Sequence, residues 1–186
     1  GQLFGLENIY DHYLSEGAAD RMCAYLKERW EKPGSRYHVM KEMFACLHKL
    51  EVLSADWPKK VRHYEKVLFG GGRKQYEALH QYRMPDKIAE QLLSYFIYVY
   101  FAGAVYDGMP YSKVKLAVIS TMLIEDMVCA KAAEKGQLSF EAIADAAHSY
   151  AREVEHSDLN LQRLSIMFRH RKCFHIGRLC GALLEW

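Results

Sequence analysis

Apolar residues recur at intervals of three and four positions along most of the chain, which is the spacing that predicts amphipathic α-helices. In residues 6–30 the pattern is interrupted once, at Gly17, so we expect two helices there. Ser35 follows a proline and a glycine and is the type of residue that caps a helix N-terminus. The helix that it opens is predicted to end near Leu53.

The clearest interruption is a run of three glycines at residues 70–72, after a predicted helix that opens at Pro58 and ends at Phe69. A glycine-rich loop before a helix can bind phosphate through its backbone N–H groups. Here the Gly-Lys-Ser/Thr ending of a P-loop is absent, and no predicted strand precedes the glycines. We therefore interpret them as a flexible connection between two helices.

Two apolar segments follow, and each is apolar nearly all round. The first begins after Pro85 and contains the run LLSYFIYVYFAGAVY, which is shorter than the ~20 residues that span a bilayer. The second is KVKLAVISTMLIEDMVCAKAAE, which Gly136 ends. A turn at residues 107–110 separates them, so we predict that the two helices form a buried central hairpin.

The last third of the chain carries clear capping signals. Ser139 is expected to cap the helix FEAIADAAHSYAREVEH, and Ser157 the next helix, which begins DLNLQRL. A short final helix, GRLCGALLEW, is predicted to dock on the rest. No β-α-β unit and no internal repeat is recognisable, so the prediction is an all-α fold, a single-domain helical bundle over residues 1–186.

The composition is that of a globular protein with a real core, since 51% of the 186 residues are apolar and 26% are charged. A formal net charge of +2 does not indicate a nucleic-acid partner, and no segment predicts a membrane partner. The five cysteines are scattered without a C-x-x-C pair, which fits a reducing cytoplasm and offers neither a zinc nor an iron–sulfur ligand set. The chain begins with Gly1 rather than methionine, so we expect a C-terminal fragment of a longer protein.

The segment YAREVEHSDLN, residues 150–160, is the strongest candidate for chemistry. On a regular helix, His148, Arg152, Glu155 and His156 share one face, where a guanidinium, a carboxylate and imidazoles would converge beside tyrosines. Such a face suits the recognition of a cationic or carboxylate-bearing ligand. The alternative is a partly solvated charge network, in which Arg152 pairs with His148 or Glu155.

A carboxylate-bridged metal centre is a further possibility. Two Glu-x-x-His spacings occur, at residues 77–80 and 153–156, and Glu42 and Glu125 could complete a four-helix ligand set. Roughly one such spacing is expected by chance in a chain of this composition, so the signal is weak. The prediction is that no metal is bound.

Four stretches resemble the C-terminal half of bacterial flagellin lysine-N-methylases. They are MKEMFACLHKLEVLSADW, YFIYVYFAGAVYDG, SKVKLAVISTMLI and LSFEAIADAAHSYAREVEHSDLNLQRL, and REVEHSDLNL is the most specific part. The resemblance implies transfer of a methyl group from S-adenosylmethionine to lysines of flagellin or another lysine-bearing protein. It also implies an iron–sulfur cluster in a cysteine-rich N-terminal region, which this chain lacks.

On that reading, residues of the 150–160 segment and its flank would serve the methylase. A deprotonated lysine amine needs a nearby acid or base and aromatic walls. The expected catalytic residues are Tyr150, Glu153, Glu155 and His156, and those expected to bind or orient the substrate are His148, Arg152, Asp158 and Asn160. Two alternatives stay open, a protein-binding module without chemistry of its own and a carboxylate–histidine metal protein.

Overall fold

Every regular element in the computed structural model is a helix or a helical turn, over the residues that it describes, 14–30 and 35–185. In these ranges ten α-helices follow one another, and they are α1 (Ala18–Trp30), α2 (Ser35–Leu47), α3 (Trp57–Phe69), α4 (Gly72–Leu79), α5 (Asp86–Phe101), α6 (Ala104–Asp107), α7 (Pro110–Lys135), α8 (Phe140–Tyr150), α9 (Asp158–His170) and α10 (Ile176–Leu184). Short 3₁₀ turns lie at His80–Tyr82 and Lys172–Phe174, and a π turn lies at Ala151–Glu155. The predicted all-α class is confirmed.

The 26-residue helix α7 is the centre of the fold. From Lys115 to Ala130 every side chain except that of Val118 is buried, because α2, α3, α5, α8 and α9 all pack against this helix. A helix that is apolar all round needs neighbours on every side. The hairpin of α5 and α7 forms as predicted, with the short helix α6 in the connection.

Helix α5 differs from the prediction, because it is buried on one side only. Phe96 packs in the core, whereas Tyr98 is 87% exposed, and Tyr106 in α6 is 92% exposed. Apolar composition predicts a tendency to be buried but cannot say whether a further layer of protein exists to bury it. We call the exposed apolar surface the α5–α6 face, and it comprises Tyr95, Ile97, Tyr98, Val99, Phe101, Val105 and Tyr106.

The helix boundaries follow the local signals closely in the second half of the chain. Ser139 Oγ accepts a hydrogen bond from the N–H of Ala142 at 3.2 Å, and Ser157 caps α9 in the same way. Gly136 ends α7 with a φ of 71°, a conformation that disfavours residues with a Cβ. The N–H of Gln137 then bonds the carbonyl of Ala132 at 3.1 Å, which completes a Schellman ending.

In the first half two predicted features differ or lie outside the described residues. Helix α1 begins directly after Gly17, as predicted, whereas the helix expected before it falls mainly on residues 1–13, outside the described ranges. Helix α2 ends at Leu47 rather than near Leu53. After α2, the N–H groups of Glu51, Leu53 and Ser54 donate to side chains about 100 positions away, which an apolar pattern cannot reveal.

Candidate functional site

The segment predicted to carry the chemistry contains a π turn rather than a regular helix end. The N–H of His156 donates to the carbonyl of Ala151, five positions back, at 3.1 Å. This turn is wider than an α-helical turn, so side chains after Ala151 leave the 3.6-residue pattern. The face predicted for His148, Arg152, Glu155 and His156 is therefore not formed.

Glu153 points into the protein and holds the loop after α2. The side chain is 1% exposed, and its Oε2 accepts from the N–H groups of Leu53 at 3.1 Å and Ser54 at 3.2 Å. Its Oε1 lies 3.5 Å from Nε of Arg152. Because buried backbone N–H groups need an acceptor, this carboxylate replaces the helical bonds that the loop does not make.

Asn160, at the start of α9, fastens the same loop with both ends of its amide. Oδ1 accepts from the N–H of Glu51 at 2.7 Å, and Nδ2 donates to the carbonyls of Glu51 at 2.9 Å and Glu153 at 2.8 Å. The side chain is fully buried. These bonds hold the backbone of the loop and of the π turn in place. The substrate-orienting role expected for Asn160 stays a prediction.

Glu155 has a different environment, on the side of the π turn that faces α5. Its Oε1 accepts from the hydroxyl of Tyr100 at 2.8 Å and from that of Tyr95 at 3.1 Å. Burial and the adjacent carboxylate raise the pKa of both phenols, so each keeps its proton at neutral pH and remains a donor. Oε2 of Glu155 accepts no hydrogen bond from any residue in the described ranges, and the side chain is half-buried.

Two other predicted residues have structural partners. The hydroxyl of Tyr150 lies 2.6 Å from Oγ of Ser120, in the core, and burial raises the pKa of this phenol. Arg152 donates to Oγ of Ser54 at 3.0 Å and lies 3.8 Å from the carboxylate of Asp56. The alternative in which Arg152 pairs with His148 or Glu155 is therefore wrong, because the π turn directs the guanidinium toward the loop.

The remaining predicted residues, His148, His156 and Asp158, are exposed. His156 is the C-cap of the π turn, and Asp158 is the first residue of α9, where a carboxylate is favourable near the helix N-terminus. The structure thus separates the eight candidates. Glu153, Asn160 and Arg152 contact the loop after α2, and Tyr150 lies in the core. Glu155 meets the tyrosines of α5, and the other three are exposed.

A second polar cluster lies inside the core and was not predicted. Nη2 of Arg36 lies 2.9 Å from Asp126 and 3.2 Å from Glu125, and the hydroxyl of Tyr76 donates to Asp126 at 2.7 Å. Burial raises the pKa of Glu125 to about 7 and also raises that of Asp126, because desolvation outweighs the attraction of Arg36. Burial alone would lower the pKa of Arg36, but the facing carboxylates raise it, so the guanidinium stays charged.

This core cluster is not a substrate site. The cavity beside Arg36, Tyr76 and His80 measures about 20 Å³, room for about one water molecule. Burial lowers the pKa of His80 to about 4, and the Arg36 charge adds to this effect.

The metal alternative finds no ligand set in the part of the chain that is described. Among those residues no three His, Cys, Asp or Glu side chains come together. Glu125 faces Arg36, Glu153 binds the loop, and Glu42 lies 3.5 Å from Arg171. The cysteines likewise form no group there, so the described residues do not fit an iron–sulfur centre.

The comparison with known protein families identifies the chain. The sequence model of one family, described as the FliB lysine N-methylase C-terminal domain, matches residues 1–182. The chain belongs to this family. A search of curated proteins and a search of solved structures each gave no match.

Membership of the FliB C-terminal family confirms the resemblance inferred from the four sequence stretches and connects the chain to lysine methylation. The family implies a methyl donor, but in the described ranges no strand and glycine-rich turn offer a dinucleotide-type site for one. None of the described helices combines the length and apolar character that crossing a bilayer requires.

Sequence reasoning missed Tyr95 and Tyr100 as partners of Glu155. They lie 60 and 55 positions before it in the sequence. The available signal was the abundance of tyrosine, with 13 residues in the sequence, three of which lie in α5. An abundance of tyrosine suits half-buried helix faces and binding surfaces, but it does not indicate which carboxylate the tyrosines contact.

Proposed function

We propose that this domain binds the lysine-bearing substrate protein, flagellin, while the full-length methylase transfers the methyl group from S-adenosylmethionine. The observation that carries the proposal is the carboxylate of Glu155, which two tyrosine hydroxyls hold beside the exposed α5–α6 face. Family membership supplies lysine as the target side chain.

The chemistry beside Glu155 suits a lysine side chain. An ammonium group is attracted to a carboxylate oxygen without another partner and to the faces of aromatic rings within about 6 Å. Tyr95, which donates a hydrogen bond to Glu155, also lines a neighbouring surface depression of about 480 Å³ with Tyr98. The charged side chains that line this depression are those of Glu90 and Lys87. The methylene stem of lysine would lie against the rings of these tyrosines.

The rest of the α5–α6 face suits the protein that carries the lysine. Contiguous exposed apolar and aromatic residues are unusual on a monomer and are typical of a protein–protein interface. Phe101, Val105 and Tyr106 extend this surface from the end of α5 into α6. A substrate helix or loop could bury its own apolar side chains there while one lysine reaches the depression.

The neighbouring residues then have distinct roles. Methyl transfer requires a neutral amine, and the exposed imidazole of His156, next to Glu155 in the chain, is the base that we propose. Glu155 binds the ammonium form and positions it. Tyr150 and Glu153 act as positioning residues, because one anchors the end of α8 and the other holds the loop after α2.

Calorimetric titration of the chain with a lysine-containing flagellin peptide tests the binding proposal. We expect binding that weakens about fivefold in Glu155→Gln and in Tyr98→Ala, since each removes one contact worth roughly 1 kcal/mol. Glu141→Gln removes an exposed carboxylate from α8 and serves as the matched control. Equal affinity for all these variants would refute the assignment of this face.

A second titration, with S-adenosylmethionine alone, distinguishes a domain that only binds the substrate protein from one that also contributes to the catalytic pocket. If only the peptide binds, the domain is a recognition module and the chemistry belongs to the remainder of the methylase. If the methyl donor also binds, the domain contributes to the catalytic pocket. In the full-length methylase, Glu155→Gln and His156→Ala should both lower turnover while the thermal unfolding temperature stays within about 2 °C, because both groups are at least partly exposed.

A further inference from the structure

A large groove lies between α2 and the segment from Arg171 to Arg178, away from the elements that form the Glu155 site. Its volume is about 1180 Å³. Small-molecule pockets usually measure about 300–1,000 Å³, so this groove has room for a longer ligand. The wall from α2 includes Val39 and Ala45, and the opposite wall includes Cys173, so part of the surface is apolar.

The charged side chains of the groove are nearly all cationic. They are Lys41, Arg171, Lys172 and Arg178, against the single carboxylate of Glu42. This surplus of three positive charges exceeds the net charge of +2 of the whole chain, so the basic character of the protein is concentrated here. A cationic groove of this kind attracts an anionic partner.

Most of these cations are available to a ligand. Arg171 lies 3.5 Å from Glu42, whereas no carboxylate in the described residues comes within 4.0 Å of Lys41, Lys172 or Arg178. Lys172 and Arg178 are exposed. The imidazoles of His38 and His175 also line the groove and would add hydrogen-bond donors.

We propose that this groove binds an acidic segment of another protein. The cations would pair with Asp and Glu side chains, with the arginines bound through both guanidinium N–H edges, while the apolar wall would contact the methylene groups of the segment. This inference goes beyond the proposed function, because it concerns a different surface and ligands of opposite charge.

The lining favours a polypeptide over a nucleic acid. Single-stranded nucleic acids bind where aromatic rings stack on the bases. No Phe, Tyr or Trp occurs among the described residues that line this groove, although the full sequence contains 24 such residues.

Fluorescence anisotropy with a fluorescein-labelled peptide of eight glutamates tests the proposal at 50 mM NaCl. The double variant Lys172→Glu/Arg178→Glu should weaken binding at least about tenfold, because each change replaces an attraction by a repulsion. The matched control Lys59→Glu/Arg62→Glu changes the net charge equally on the exposed side of α3 and should retain the wild-type affinity within about twofold. Circular dichroism establishes that each variant is folded. The variant Lys172→Gln/Arg178→Gln removes the two positive charges without adding negative ones and should weaken binding less.

Several outcomes would overturn the proposal. Equal losses in the two double variants would mean that the peptide senses only the total charge. Tighter binding of a ten-nucleotide oligothymidylate, lost in the groove variant, would make a nucleic acid the ligand. Displacement of the peptide by 5 mM inorganic phosphate would indicate a small-anion site. A peptide of eight glutamines carries no charge and should not bind. All of these measurements concern a surface separate from the Glu155 site, so their outcome is independent of the proposed function.

Discussion

Replacing Glu125 by glutamine should stabilise the protein at neutral pH, although it removes one partner of a buried ion pair. Glu125 and Asp126 both face the single cation Arg36 in the core. Burial raises the pKa of Glu125 from its ordinary value of 4.5 to about 7. The folded state therefore holds the proton of this carboxyl more tightly than the unfolded state does.

The sign and the magnitude follow from this difference in pKa. A carboxyl whose pKa is raised by folding contributes its full stability below pH 4.5 and loses it as the pH rises through about 7. At about 1.4 kcal/mol for each tenfold change in proton affinity, the loss amounts to about 3 kcal/mol. Glutamine resembles the protonated carboxyl at every pH, so Glu125→Gln should match the wild type near pH 4.5 and exceed its stability by about 3 kcal/mol near pH 8.

Urea denaturation followed by circular dichroism at pH 5, 6, 7 and 8 measures the effect as a difference between variant and wild type. His80 acts in the opposite direction, since its lowered pKa gives stability that is present above pH 6.5 and lost as the pH falls through about 4. Both proteins contain His80, so its contribution cancels in the difference. Glu28→Gln, on the exposed side of α1, is the control and should give a flat difference near zero.

The reasoning would be refuted if Glu125→Gln were less stable than the wild type at pH 8, or if the difference did not change with pH. Either result would mean that the attraction of Arg36 outweighs the desolvation of the carboxylate. Asp126→Asn should behave differently, with lower stability at every pH. Asp126 accepts hydrogen bonds from both Arg36 and Tyr76, and an amide N–H₂ in its place would face one of these donors.

Three further changes test the way in which the 150–160 segment and its neighbours are held. Asn160→Asp should cost about 3 kcal/mol in urea denaturation, because a carboxylate oxygen would face the carbonyls of Glu51 and Glu153; an unchanged midpoint would contradict this bonding. Ser157→Ala should cost about 1 kcal/mol through loss of the α9 cap, and a Thr replacement should restore most of it. Gly136→Ala should also cost about 1 kcal/mol in thermal unfolding, since its φ is 71°, and Gly136→Asn should cost less.

The sequence alone determined the helical class, most helix boundaries in the second half of the chain and the pairing of the two apolar helices. These features depend on local signals. Ser139, Ser157 and Gly136 act on backbone groups within four positions, and apolar spacing within one helix selects its buried face. Family resemblance was recognisable for the same reason, because it lies in contiguous stretches of residues.

Only the tertiary structure decided which side chains of the 150–160 segment meet which partners. Glu153 contacts a loop 99 and 100 positions away, and Glu155 contacts tyrosines 55 and 60 positions away. Both carboxylates belong to the π turn at Ala151–Glu155, and its single extra residue leaves no clear mark in the apolar pattern. Contacts over such separations depend on how whole helices pack, so residue type and spacing cannot specify them.

The same limit applies to burial. The α5 sequence is as apolar as that of α7, but only α7 has protein on every side, and this difference left the α5–α6 face exposed. The groove that concentrates the positive charge likewise joins α2 to a segment more than 120 positions further along the chain. Local sequence determines which apolar and charged side chains each helix carries. The arrangement of the helices determines which of these side chains remain on the surface and can bind a partner.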